Sequence, residues 1–117
     1  MFERYAFVAV TTRDLDRARA FWVGQLGFAV TEEKPGQFFM VDAAGLRLCV
    51  DLADGDIHAT DGGDPEIGFR VRSVAETIAL LRDRGLSPVK GPVTDARGSW
   101  AAIRDPDGRA IILTETD

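Results

Sequence analysis

Phe7-Val-Ala-Val-Thr-Thr-Arg-Asp-Leu15 and Glu66-Ile-Gly-Phe-Arg-Val-Arg-Ser-Val74 share one layout. In each, a short strand-forming run leads to a helix N-cap residue, Asp14 or Ser73. The likeness extends outward from there. Leu15, Ala18, Trp22 and Leu26 recur at helical spacing with Phe21 beside them, and Gly27 can end that helix in the left-handed conformation. Val74, Ile78 and Leu81 repeat the stripe ahead of Gly85, and Ser73-Val-Ala-Glu76 spells a capping box. Leu26-Gly27-Phe28 matches Arg84-Gly85-Leu86, and Asp42-Ala-Ala-Gly45 matches Asp105-Pro-Asp-Gly108. Strands are predicted at 5–12, 28–31, 37–41 and 46–50, then at 66–71, 100–104 and 110–114, with 86–89 leading to a turn at Gly91-Pro92.

An internal repeat constrains the fold more than any single segment does. The chain reads as one α+β domain, residues 1–117, built from two tandem βαβββ units. Unit one is 1–51 and unit two is 66–117. The Asp-, Gly- and Thr-rich stretch 52–65 is the linker. Each sheet is expected to carry its helix on one face and leave the other free, so that two facing curved sheets form a cleft.

Composition narrows the function. At 117 residues, 45% hydrophobic, the chain suits a single globular domain. A chain this short buries only about two-thirds of its unfolded surface, so a second subunit would help it. The net charge of −5 argues against a nucleic-acid partner, which needs a basic face. No run approaches the roughly 18 apolar residues that span a bilayer, so no membrane partner is expected. The start, Met1-Phe2-Glu3-Arg4, lacks a signal-peptide apolar region, and the single Cys49 cannot form an internal disulfide. Both point to the cytoplasm.

Val10-Thr-Thr-Arg-Asp-Leu-Asp-Arg-Ala-Arg-Ala-Phe-Trp22, Leu26-Gly27-Phe28 and Ile103-Arg-Asp-Pro-Asp-Gly108 resemble the vicinal oxygen chelate superfamily. That superfamily includes glyoxalase I, extradiol dioxygenases, methylmalonyl-CoA epimerase and bleomycin resistance proteins. The spelling looks most like the bleomycin resistance branch. The resemblance implies the glyoxalase/bleomycin resistance fold over essentially the whole chain. It also implies, in the metal-using members, a His, Gln or Glu ligand on the first and last strand of each unit. Motif spacing and strand parity place those four positions at Phe7, Cys49, Glu66 and Ile112. Phe and Ile have no donor atom, and one carboxylate with one thiol is a poor site for a hard divalent ion. The only histidine, His58, lies in the linker. No metal and no cofactor are therefore expected.

Counting back from the turns predicts that Met40 faces Arg47, Phe38 faces Cys49, Ile103 faces Ala110 and Ala101 faces Ile112. The expected ligand-binding surface is thus Phe7, Phe38, Met40, Arg47, Cys49, Glu66, Ile103 and Ile112, flanked by Ala9, Arg70, Ala101 and Ala110. Apolar and aromatic groups with a few charges make a small-molecule site. The phenyl rings can stack on a planar ligand and Glu66 can meet a cation. Trp22 reads as core, and Trp100 falls opposite to Ala101. The expectation is a homodimeric, metal-free protein that sequesters an aromatic or cationic antibiotic-like ligand. The alternative is a lyase, isomerase or dioxygenase-like enzyme of the same superfamily that uses Glu66 as its base or a metal site not recognised in the sequence.

Overall fold

The computed structural model describes residues 1–53, 66–96 and 98–116. The chain divides into two units, Met1–Asp64 and Pro65–Asp117. The linker, with His58, falls outside the described residues except at its first two positions.

In the first unit β1 (Val8–Thr12) leads to α1 (Leu15–Arg19), which continues as a π-helical segment, Ala20–Gln25. Three strands follow, β2 (Ala29–Lys34), β3 (Phe38–Ala43) and β4 (Leu46–Leu52), in the sheet order β1-β4-β3-β2. In the second unit β5 (Ile67–Arg70), α2 (Val74–Asp83), β6 (Lys90–Asp95), β7 (Gly98–Arg104) and β8 (Ala110–Thr114) form a sheet of order β5-β8-β7-β6. In both units the first strand runs parallel to the last and the other pairs are antiparallel. The βαβββ repeat is therefore the observed architecture. No helix among the described residues is long and apolar enough to cross a membrane.

Local chemistry explains the helices. The Asp14 carboxylate accepts from Arg17 N at 3.1 Å, and Ser73 Oγ accepts from Glu76 N at 3.1 Å. Glu115 adds a second tie, accepting from Val74 N and from Ser99 N, which joins the start of α2 to β7. The first helix departs from the single α-helix that its spacing predicts. Leu26 N donates to Phe21 O, a bond spanning five residues, and the wider turn lets the consecutive Phe21 and Trp22 both point inward. Their rings meet edge-to-face at 5.0 Å, and Trp22 also stacks on Phe28. Trp22 Nε1 is buried with no hydrogen-bond partner among the described residues. An orphaned donor costs about 1–3 kcal/mol, close to what a smaller ring would lose in packing. Trp22→Phe is therefore expected to change stability by less than about 1.5 kcal/mol in a denaturant titration. A loss above about 3 kcal/mol would contradict the orphaned N–H.

The two hairpins differ although their turns are spelled alike. In the first, Ala43 pairs with Leu46, and the two-residue turn Ala44-Gly45 has positive φ at both positions. In the second, Asp105 N donates to Arg109 O, and the turn contains three residues with Gly108 at positive φ. Asp105 is buried and holds this turn. Its carboxylate accepts from Asp107 N at 3.0 Å and Arg109 N at 2.8 Å, and it pairs with the Arg109 guanidinium.

That extra turn residue overturns one prediction. Ile103 pairs with Ile111 and Ala101 with Leu113, not with Ala110 and Ile112. A one-residue slip moves a strand's side chains to the opposite face. Ile103, Ala101, Ile111 and Leu113 are accordingly all buried in the core, beside buried Val74, Ile78 and Leu81 of α2. Gly91-Pro92 is not a turn either. It lies inside β6, where the register slips between Lys90 and Val93. Gly91 has φ +83°, and a Cβ there would sit 2.8 Å from the Trp100 carbonyl oxygen, so the close approach of β6 to β7 requires glycine.

Candidate functional site

Each helix covers one face of its own sheet, and the residues on the other face are the candidates for binding. In the first unit Met40 pairs with Cys49, Phe38 with Asp51, Asp42 with Arg47, and Glu32 with Met40. The predicted pairs are shifted by two residues, which preserves the face. Phe38, Met40, Arg47 and Cys49 do share one side of the sheet, with Ala9 alongside Cys49. Met40 and Cys49 are buried, Phe38 is half-buried and Arg47 is exposed. Phe7 precedes β1 and is also exposed. A pocket of about 310 Å³ lies over Glu32, Asp42 and Arg47, with Thr31 and Val41.

Arg47 has a structural duty as well. Its guanidinium donates to Ala6 O at 3.0 Å and to Met40 Sδ at 3.3 Å, and its backbone N–H donates to the Tyr5 hydroxyl. It thereby ties the segment before β1 to β4. Cys49 is chemically quiet. Burial, then the negative charge of Asp51 3.7 Å from Sγ, pushes its thiol up to about 12. It stays protonated at neutral pH, and the thiolate is the form that ligates or attacks.

In the second unit the observed register places Trp100 opposite Thr114 and Ala102 opposite Ile112. Ile112 thus keeps its predicted face, Ile103 leaves it, and Trp100 takes its place. Gly68 lies against Ile112, its would-be Cβ 3.7 Å from Ile112 Cβ. Glu66 is exposed, immediately before β5. Half-buried Trp100 and Ile112 border a pocket of about 360 Å³. Asp95, Ser99, Thr114 and Thr116 supply its polar wall, and Gly98 completes the lining. Lys90 Nζ stands 5.3 Å from the centre of the Trp100 ring. Sequence reasoning missed this pocket because the turn count had put Trp100 on the core side. The buried partner of Asp105, Arg109, was the signal that the turn is one residue longer.

The chemistry of the donors does not fit a metal of the kind a His/Glu set holds. Phe7 and Ile112 have no donor atom and the Cys49 thiol is protonated. Among the described residues, no three His, Cys, Asp or Glu side chains are grouped to hold an ion.

Comparison with known proteins adds three findings. The family model described as Glyoxalase/Bleomycin resistance protein/Dioxygenase superfamily matches residues 4–113. No curated protein matches the sequence. Many solved structures match. The crystal structure of UcmS2 has TM-score 0.80 and 21% identity, covering 99% of this chain and 100% of that one. TnmS3, an antibiotic binding protein from Streptomyces sp. CB03234, has TM-score 0.76 and 24% identity over 99% and 98% of the two chains. TioX from Micromonospora sp. ML1 has TM-score 0.80 and 20% identity over 98% and 100%. At these identities the likeness is one of fold.

Proposed function

The chain belongs to the Glyoxalase/Bleomycin resistance protein/Dioxygenase superfamily, and from that membership we propose that it is a metal-free small-molecule-binding protein of the cytoplasm. It sequesters an aromatic or cationic antibiotic-like ligand and acts as a homodimer. The observation that carries this reading is the hollow beside Trp100 and Ile112. At about 360 Å³ it lies within the size range of small-molecule sites, and it joins an aromatic wall to a few polar groups. The face bearing Phe38 and Met40 has a similar make-up in the first unit. Capture of a ligand needs complementarity and no reactive group, which suits a chain whose cysteine is inert and whose ligand positions read Phe, Cys, Glu and Ile. An antibiotic binding protein shares the fold over nearly the full length of both chains. The short chain and the position of β1 and β5 at sheet edges favour a second subunit.

Tryptophan fluorescence tests the proposal. Titration with bleomycin and other planar cationic antibiotics is expected to quench the emission saturably, with Kd of roughly tens of micromolar or tighter for at least one of them. Trp100→Phe is expected to abolish the quenching, because Trp22 is sealed in the core. The absence of quenching by every compound would refute the reading.

A further inference from the structure

We propose that the hollow beside Trp100 is a ring subsite selective for planar aromatic amines, with Asp95 receiving the amine. This rests on the small-molecule-binding reading and goes beyond it by naming the ligand's polar group.

The register sets out the parts along one sheet face. Trp100 pairs with Val93 on β6 and with Thr114 on β8. Toward the turn of the hairpin the next pair on this face is Asp95 with Gly98, and the glycine contributes no side chain there. Trp100 and Asp95 both line the hollow on this face. In the opposite direction Lys90, paired with Ala102, sets its ammonium over the Trp100 ring. The hollow itself is lined by the Trp100 indole, by Asp95 and by the hydroxyl-bearing Ser99, Thr114 and Thr116, while Lys90 stands over the indole from outside that lining. A flat ring entering here meets the indole by stacking. Substituents on its far side meet Asp95 and the hydroxyls of Thr114 and Thr116.

The hydroxyls refine the match. Thr114 Oγ1 accepts from Thr116 N at 3.1 Å and shares one hydrogen bond with Thr116 Oγ1 at 3.1 Å. Two hydroxyls bring two hydrogens, and their mutual bond uses one of them. The other is left to donate into the pocket, while Asp95 can only accept when ionised. A ring amine donates to the carboxylate, and a ring nitrogen or oxygen accepts from the hydroxyl. A charge-assisted bond to the carboxylate is the stronger of the two.

Proflavine and acridine separate this idea from simple stacking, since they share a ring system and only proflavine bears amino groups. By calorimetry at neutral pH, proflavine is expected to bind about tenfold or more tightly than acridine. Asp95→Asn, at an exposed position, is expected to level the two dyes while the protein stays folded. Lys90→Met, which frees the ring face, is expected to strengthen proflavine binding severalfold. Equal affinities for the two dyes, or a preference that survives in D95N, would overturn the amine subsite and leave the binding reading intact. If neither dye binds while an antibiotic still quenches Trp100, the subsite assignment falls alone. If no compound of either set binds, both fall.

Discussion

Replacing Asp105 by alanine is expected to destabilise the protein by about 3–5 kcal/mol. The carboxylate side chain is fully buried and that of Arg109 is only 8% exposed, so the pair sits out of reach of solvent screening. Removing a buried partner strands the opposite charge, which costs far more than losing a surface ion pair. The same carboxylate also accepts from Asp107 N and Arg109 N, two donors that shape the turn. For a domain whose whole stability is about 5–15 kcal/mol, that loss is a large fraction. It corresponds to a fall in Tm of about 10–20 °C by calorimetry. Asp105→Asn keeps an oxygen for the backbone donors and loses the charge, so its loss should fall between alanine and the parent. An alanine variant within about 1 kcal/mol of the parent would mean that the turn does not depend on this pair.

Ile103→Ala and Ile112→Ala are expected to diverge sharply. Ile103 is fully buried on the core face, where truncation leaves a cavity and costs about 2–5 kcal/mol. Ile112 is half-buried on the free face, and its truncation should cost less than about 1.5 kcal/mol. The comparison bears directly on register. If Asp105 paired with Gly108, Ile103 would stand beside Ile112 on the free face and the two variants would behave alike. Denaturant midpoints of both proteins decide between the registers, and equal losses would contradict the three-residue turn.

Most of the fold was legible in the residues. The recurrence of cap, helical stripe and glycine in two copies leads to two βαβββ units, and both capping residues perform as read. Three features escaped, each for a local reason. The π-helical segment depends on how Phe21 and Trp22 pack, which periodicity does not report. Gly91-Pro92 spells a turn, yet it forms a bulge because neighbouring β7 approaches closely. Asp42-x-x-Gly45 and Asp105-x-x-Gly108 look equivalent, but only the second has an arginine next to the glycine that folds back onto the aspartate. That difference of one residue decides the candidate site. In the first unit Phe38, Met40, Arg47 and Cys49 emerge on the face expected of them. In the second, Ile103 goes to the core and Trp100 comes to the free face.

The central claim is that a small molecule is captured against the free sheet faces with Trp100 at the contact. The chain has two tryptophans, so a nitrogen-15 correlation spectrum carries two indole N–H signals, assigned by Trp22→Phe. On addition of bleomycin and of planar cationic antibiotics in turn, at least one compound is predicted to shift the Trp100 signal saturably and leave the Trp22 signal in place. Failure of every compound to move the Trp100 signal, at concentrations well above tens of micromolar, would contradict the account.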